Sequence, residues 1–421
     1  MDTKFNKDSL FVILMILGGG TFIKLAGLQT YYTIFVLLVT FLLTYKEGFE
    51  LKEVMRVGLI LLALISFQLV HSVTQDNYQL MSTQFLRSLV DVLLAYLLAK
   101  RFLSRELSFV KNVNSVLLVV IAHAIVSVFV VKMVGTTNVA YSSSDGTALF
   151  QGPNILFAVR NSTDINGYAI SSNVLGLGLE RAHGIFWEPS VFVNYVAVFL
   201  YINIFLRFKI QNIILGLLAM IMAWSSTGLL LSALIILLFT FLPNSSASKV
   251  FKKRLIRLRL GMLIIGVPII TTFFVINIST FFEDSRKLGS VSQRFYDTAG
   301  ALFAIREHPL IGTGSNLESY SNALAEDENI YQLQGIAEGI DLNSKDVIKY
   351  SNSFLRYLVK YGVPFGLILF VGLYRQQIIR SNSKGVLFVV IAVGTSFSPI
   401  LELMFFMPFL YSGLIFDKQE S

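Results

Sequence analysis

The chain is 421 residues long, 54% apolar and only 14% charged, with a mean hydropathy of +0.68. An average soluble domain is far less apolar, so the composition excludes that class and indicates a polytopic membrane protein. There is no cysteine, which removes disulfide and thiolate chemistry, and the net charge of +8 follows membrane topology and does not point to nucleic-acid binding.

Apolar runs long enough to cross a bilayer, roughly 17–25 residues each, recur near 10–28, 29–45, 57–73, 85–99, 113–134, 190–206, 210–224, 226–243, 260–282, 354–373, 385–399 and 402–416. They predict an all-α integral membrane protein of about twelve transmembrane helices. The expected organisation is an N-terminal bundle of about five helices at 1–134, a long polar loop at 135–189, central helices at 190–282, a second long loop at 283–352, and C-terminal helices at 353–421. The first run has no small-residue cleavage site after it and the next span follows almost at once, so a signal anchor is expected.

Lys and Arg counted loop by loop set the orientation. Connectors at 1–9, 46–56, 100–112, 207–209, 244–259, 375–384 and 417–421 hold 21 of the 34 basic residues. The opposite set, 74–84, 135–189 and 283–352, is about twice as long in total and holds eight. Both termini are therefore expected in the cytoplasm, and both long loops on the outer face. The cluster Lys249, Lys252, Lys253, Arg254, Arg257 and Arg259 suits anionic lipid on the inner face.

Loops of that length are uncommon unless they carry function. The first opens on a turn-rich Ser142-Ser143-Ser144-Asp145-Gly146 stretch and closes on Glu180-Arg181-Ala182-His183-Gly184-Ile185-Phe186-Trp187-Glu188-Pro189-Ser190, a concentration of ionisable and aromatic residues at the mouth of a helix. The second carries the helical spacing Phe295, Leu302, Phe303, Ile305 and then His308-Pro309-Leu310-Ile311-Gly312-Thr313-Gly314, which stops a helix and turns the chain tightly.

Those residues carry a resemblance. Arg181-x-x-Gly184-x-Phe186-x-Glu188-Pro189-Ser190, with Ser292-x-Arg294, Ala301-Leu302, His308-Pro309-Leu310-x-Gly312-x-Gly314, Asn352-x-Phe354-Leu355 and Gly362, resembles the family of bacterial O-antigen and capsule polymerases and O-antigen ligases. The likeness spans about 180–370 together with the topology. It implies a GT-C-like membrane glycosyltransferase of the bacterial inner membrane, inverting and metal-independent, without a cofactor. Donor and acceptor would be glycans linked to undecaprenyl pyrophosphate, presented at the outer face, with a chain-length regulator protein as a further partner.

The chemistry of that reaction can be set against the residues. Pyrophosphate is a good leaving group, so the site needs cations to hold developing negative charge and a base for the acceptor hydroxyl. Guanidinium groups bind phosphate bidentately and stay charged, which makes Arg181 and Arg294, one from each loop, the expected pyrophosphate clamp. The ordinary readings are headgroup snorkelling or a pair with Glu180 for Arg181, and a loop salt bridge for Arg294. Glu188, just before Pro189, fits both a catalytic base and a helix cap. Trp187, Phe186 and Tyr195 suit either sugar stacking or an aromatic belt. His183 is placed to shuttle a proton near neutral pH.

Where ligases of the family commonly place a His before the Asn that opens the helix after the long loop, this chain has Ser351-Asn352. That departure favours polymerase over ligase and leaves the general base unassigned. Tyr350, Asn352 and Arg356 are expected to bind sugar hydroxyls or phosphate. His71, His123 and His308 read as packing or turn residues, and four scattered His give no metal-ligand spacing. Glu326-Asp327-Glu328 reads as a solvated loop, and Glu402 as a carboxylate near the outer end of the last hairpin. A flippase for lipid-linked sugars is the alternative of another class, and it predicts ionisable residues deep within spans. Lys24, Arg87 and Lys132 lie near span boundaries.

Overall fold

The computed structural model describes residues 7–21, 23, 28–74, 83–134, 139–142, 149–152, 160–161, 181–242, 259–261, 268, 271–272, 275, 298–314 and 352–417. Its named helices are α1 (Lys7–Leu17), α2 (Gln29–Thr44), α3 (Leu51–Thr74), α4 (Thr83–Leu103), α5 (Glu106–Val134), α6 (Pro189–Tyr201), α7 (Ile210–Met222), α8 (Ser226–Phe241), α9 (Ser353–Tyr374), α10 (Lys384–Thr395) and α11 (Met407–Ile415). Residues 298–307 form a further short helix that stops at His308, where the following Pro309 disfavours helical backbone.

Among the described residues four helical stretches are long and apolar enough to cross a bilayer: Leu51–Val73, Glu106–Val130, Pro189–Leu206 and Ser353–Tyr374. Three shorter apolar helices, Ile210–Met222, Ser226–Phe241 and Lys384–Thr395, accompany them. The stretch read as a turn-rich loop adds a small antiparallel sheet to this helical class. β1 (Val139–Ser142), β2 (Leu149–Gly152) and β3 (Arg160–Asn161) pair in chain order. Val139, Tyr141, Leu149 and Phe150 on either side of Ser-Ser-Ser-Asp-Gly supply the strand-turn-strand composition of a hairpin, a signal that the run of turn residues obscured.

Burial sorts the helices. Every residue of α6 from Ser190 to Tyr201 is buried, as a helix apolar on all faces requires, and α5, α7, α8 and α10 enclose it. α2 and α3 instead leave a stripe open, including Leu38, Leu42, Leu59, Leu62 and Val73. Such a continuous apolar surface is the face a bilayer covers.

The end of the bundle that holds Asp8 and Asp417 is knitted by ion pairs. Arg101 reaches Asp8 at 2.8 Å and also pairs with Glu47, while Ser108 donates to Asp8 at 2.7 Å. Lys100 and Tyr96 both engage Glu53, and Arg56 meets Asp417 at 2.6 Å. Buried charges persist only when paired in this way.

At the opposite end the helices are interrupted. α10 and α11 are 12 and 9 residues long, short of the roughly 20 needed to span. The irregular segment 396–406 between them is not a surface loop, since Ile400, Leu401, Phe405 and Phe406 are buried. Non-helical backbone is tolerated at membrane depth where protein encloses it or a cavity adjoins it. The structure thus places Glu402 inside an irregular buried segment, where the hydropathy pattern predicts the start of a continuous span.

Candidate active site

The segment from Arg181 to Ser190 is fixed by backbone bonds to two other helices. Ala182 donates its N–H to Met222 O at 2.9 Å, at the end of α7, and Trp187 donates to Gly20 O at 3.1 Å, just past α1. Phe186 and Tyr195 are fully buried and stack with ring centroids 4.7 Å apart. They form core, which removes them as sugar platforms. Trp187 is half-buried. His183 is 6% exposed, with Nδ1 2.6 Å from Phe186 O. Burial, with a smaller contribution from the Arg181 charge and against the opposing effect of that hydrogen bond, lowers its pKa to about 4. It is therefore neutral at pH 7 and fixes the turn; a proton shuttle would have to titrate near neutrality.

Glu188 occupies the N-cap position of α6 in extended conformation, yet its side chain makes no capping hydrogen bond. Its Oε2 instead accepts from the Ser190 hydroxyl at 2.8 Å. From there a chain of serines crosses to two other elements. Ser398 Oγ donates to Ser190 O at 3.3 Å, Ser353 Oγ donates to Ser398 O at 2.8 Å, and Leu401 N–H donates to Ser353 Oγ at 3.3 Å. These bonds tie the start of α6, the start of α9 and the irregular segment 396–406 together, three stretches far apart in sequence.

α9 begins with a conventional cap, because Asn352 Oδ1 accepts from the N–H groups of Phe354 and Leu355, each at 3.0 Å. Asn352 is thereby committed to the helix start. One turn on, Arg356 Nη1 lies 2.9 Å from Glu402 Oε2. The sequence suggests Arg356 as a binder of sugar hydroxyls or phosphate and leaves Glu402 open; the structure pairs the two with each other.

α9 is broken at Gly362, whose φ of 79° and ψ of 168° are non-helical, and Pro364 removes the N–H that would bond to Lys360 O. The His308–Gly314 turn fills the gap. Thr313 N–H donates to Val359 O at 2.7 Å, Gly314 N–H to Lys360 O at 3.1 Å, and Val363 N–H returns to Pro309 O at 2.8 Å. The approach is close enough that a Cβ on Gly312 would strike Val359 O and one on Gly362 would strike Leu310 O. His71, from α3, adds Nε2 to Ile311 O at 3.0 Å. The two glycine motifs of the second half of the chain are thus two sides of one joint.

Beside this joint lies a group of charges that sequence reasoning missed. Lys360 Nζ donates to Ser88 Oγ of α4 at 3.0 Å, and Tyr361 OH approaches the same oxygen at 3.4 Å. Arg87 Nε is 3.7 Å from Asp91 Oδ2. Glu402 and Lys360 both act electrostatically on Asp91, and Tyr357 and Tyr411 lie within the fields of Asp91 and Glu402. Arg87, which the sequence places near a span boundary, thus stands with Asp91 and Lys360 one to two turns inside α4 and α9. The spacing Arg87-x-x-x-Asp91 within an apolar run was the available signal.

Arg294, Tyr350, Glu180 and the Glu326-Asp327-Glu328 run lie outside the described residues. Among the described residues no group of three His, Asp or Glu converges on a metal position. An apolar groove of about 240 Å³ runs between α9 and α10, lined by Phe354, Phe370, Phe388, Val389, Ala392 and Val393. Thr395 and Ser396, at the end of α10, complete its lining.

A bundle with four helical stretches long and apolar enough to cross a bilayer fits an integral membrane protein. Residues 211–371 match the family model described as O-antigen ligase, and that match supports the O-antigen polymerase/ligase family. Members are glycosyltransferase-like enzymes, and the family implies lipid-linked glycan substrates in a membrane setting. The matched stretch contains the joint, Asn352 and Arg356; Arg181, Glu188, Asp91 and Glu402 fall outside it. No curated protein and no solved structure matches the chain.

Proposed function

We propose that this protein is a polymerase that joins undecaprenyl pyrophosphate-linked oligosaccharide repeat units into O-antigen or capsular polysaccharide. In this reading it has about twelve transmembrane helices in a GT-C-like arrangement. Both termini are cytoplasmic, and the reaction takes place on the outer face of the bacterial inner membrane. The observation that carries the reading is the serine chain from Glu188 through Ser190, Ser398 and Ser353 to the Asn352–Arg356 turn. It gathers a carboxylate, a guanidinium and two helix starts, and the same α9 also lines an apolar groove against α10, a combination suited to an amphipathic substrate with a charged head and an apolar tail.

The tail lies along the α9–α10 groove, and Arg181 and Arg294 hold the diphosphate. The acceptor hydroxyl attacks the anomeric carbon from the face opposite the diphosphate, the configuration inverts, and lipid diphosphate leaves with its charge held by the guanidiniums. No metal enters this scheme. The second reading, transfer of finished glycan to another acceptor, is favoured by the description of the matched family as O-antigen ligase, whereas Ser351 in place of His favours polymerase. A flippase for lipid-linked sugars is the reading of another class, and the charges inside α4 and α9 are the feature that speaks for it.

A reconstituted assay with lipid-linked repeat units, with and without chelator, decides among them. The proposal expects a ladder of lengthening products unaffected by chelator. Single transfer to a different acceptor without lengthening indicates ligation, movement of substrate without glycosidic bond formation indicates a flippase, and loss of lengthening in chelator overturns the metal-independent mechanism.

A further inference from the structure

The transfer reaction needs an acceptor for the hydroxyl proton, and no residue named so far is free for that task. Glu188 accepts a hydrogen bond from Ser190 at 2.8 Å, and Glu402 is held by Arg356 at 2.9 Å. The carboxylates at the other end are equally engaged: Asp8 by Arg101 and Ser108, Glu53 by Lys100 and Tyr96, and Glu106 by the Arg380 N–H at 3.0 Å. Asp91 differs from all of these. Among the described residues its carboxylate accepts no hydrogen bond, and its nearest cation, Arg87, stands at 3.7 Å, beyond hydrogen-bonding range.

Withdrawing a carboxylate from water with no hydrogen-bond donor costs the protein free energy. Asp91 lies two turns inside the 21-residue α4, and a carboxylate kept there against that cost is a candidate for function. The side chain is not sealed, since it keeps 16% exposure and Arg87, one turn nearer the helix start, keeps 32%. Electrostatically coupled to it are Arg87 from its own helix, Lys360 and Tyr357 from α9, Tyr411 from α11 and Glu402 from the irregular segment. Arg87 and Asp91 are the partly exposed members of this group and Tyr357 and Tyr411 are buried behind them; a carboxylate with a cation beside it can accept from and donate to sugar hydroxyls.

We infer that Asp91 is the proton acceptor for the acceptor glycan's hydroxyl, an inference that rests on the transferase reading above. The hydroxyl O–H bond breaks and its proton passes to an Asp91 carboxylate oxygen. The freed electron pair forms the bond to the anomeric carbon, the bond from that carbon to the phosphate oxygen breaks, and that pair leaves on the lipid diphosphate. Asp91 returns its proton to solvent before the next turnover. Arg87 and Lys360 are positioning residues whose positive charges favour the ionised carboxylate.

The test uses the full chain reconstituted in lipid, with lipid-linked repeat units as substrate. Asp91→Asn keeps the shape and removes the base, and a proton acceptor contributes typically 10²–10⁴-fold. The expected result is a turnover at least about 100-fold lower with donor binding unchanged, and partial recovery in Asp91→Glu. Turnover of Asp91→Asn within a few-fold of wild type overturns the assignment. Should that variant fail to elute as a folded species, Arg87→Gln serves in its place: loss of the nearby cation should move the acidic limb of the rate–pH profile upward, and an unmoved limb overturns the assignment. A wild-type chain that forms no glycosidic bond defeats the transferase reading itself, which keeps the two failures apart.

Discussion

Gly314 donates its backbone N–H to the carbonyl of Lys360 at 3.1 Å, and Lys360 is the residue whose carbonyl Pro364 deprives of its helical partner. A helix broken inside a membrane must satisfy its freed carbonyls from within the protein, because lipid offers no donors. The His308–Gly314 turn provides two such donors, and in doing so ties the short helix at 298–307 that precedes it to α9, the helix that carries Arg356 and Lys360.

This joint should be intolerant of a side chain at Gly362. With φ at 79°, ψ at 168° and Leu310 O in the way of a Cβ, Gly362→Ala combines the strain of a backbone region essentially reserved for glycine, about 1–3 kcal/mol, with a backbone clash. Thermal unfolding in detergent should show a loss of at least about 2 kcal/mol, and Gly312→Ala should behave alike. A melting temperature equal to wild type for Gly362→Ala would show that the break is not held as described.

The Arg356–Glu402 pair is about three-quarters shielded, with side-chain exposures of 25% and 28%. A double-mutant cycle with Arg356→Gln and Glu402→Gln should give a coupling energy of about 1 kcal/mol, measured by unfolding. Arg356→Lys should keep the fold and lower transfer activity, because an ammonium does not reproduce the directed guanidinium contact. Additive single effects would rule out a functional pair.

For the proposed diphosphate clamp, Arg181→Lys and Arg294→Lys should each abolish most polymer while membrane expression holds. Lys preserves the charge, so a purely structural headgroup anchor would survive the change. Near-normal polymer from both variants would remove the clamp from the mechanism.

His183 gives a signed prediction for pH. Its folded pKa of about 4 lies below the ordinary 6.5, so the folded protein resists a proton that the unfolded chain accepts. The associated stability is complete above about 6.5 and is lost as pH falls toward 4, at most on the order of 3 kcal/mol. His183→Asn should flatten the melting-temperature profile across that window, and an unchanged profile would show that His183 does not carry the dependence.

The sequence was most informative where the physics is local. Hydropathy identifies α3, α5 and α6 as membrane helices without reference to any neighbour, and Asn352, Pro189 and the His308–Gly314 run announce helix starts and stops through their own backbone preferences. It was less informative where two processes use one residue type. Glu188 before Pro189 fits cap and base equally, and the chosen partner, Ser190, is visible only in space. The aromatic cluster at 186–195 looks the same in sequence whether it faces sugar or core, and burial decides for Phe186 and Tyr195.

By itself, then, the amino-acid sequence determined a helical membrane protein, the positions of its chain punctuation and the motif that resembles the O-antigen polymerase and ligase family. Only the tertiary structure joined Gly362 to Gly312, Arg356 to Glu402, and Ser190 to Ser353 through Ser398, and only it surrounded Asp91 with Lys360, Tyr357 and Tyr411. Helix formation depends on residues three and four apart, whereas these contacts join stretches separated by tens to hundreds of residues. Their charges become meaningful only when packing removes the water that would otherwise screen each one alone.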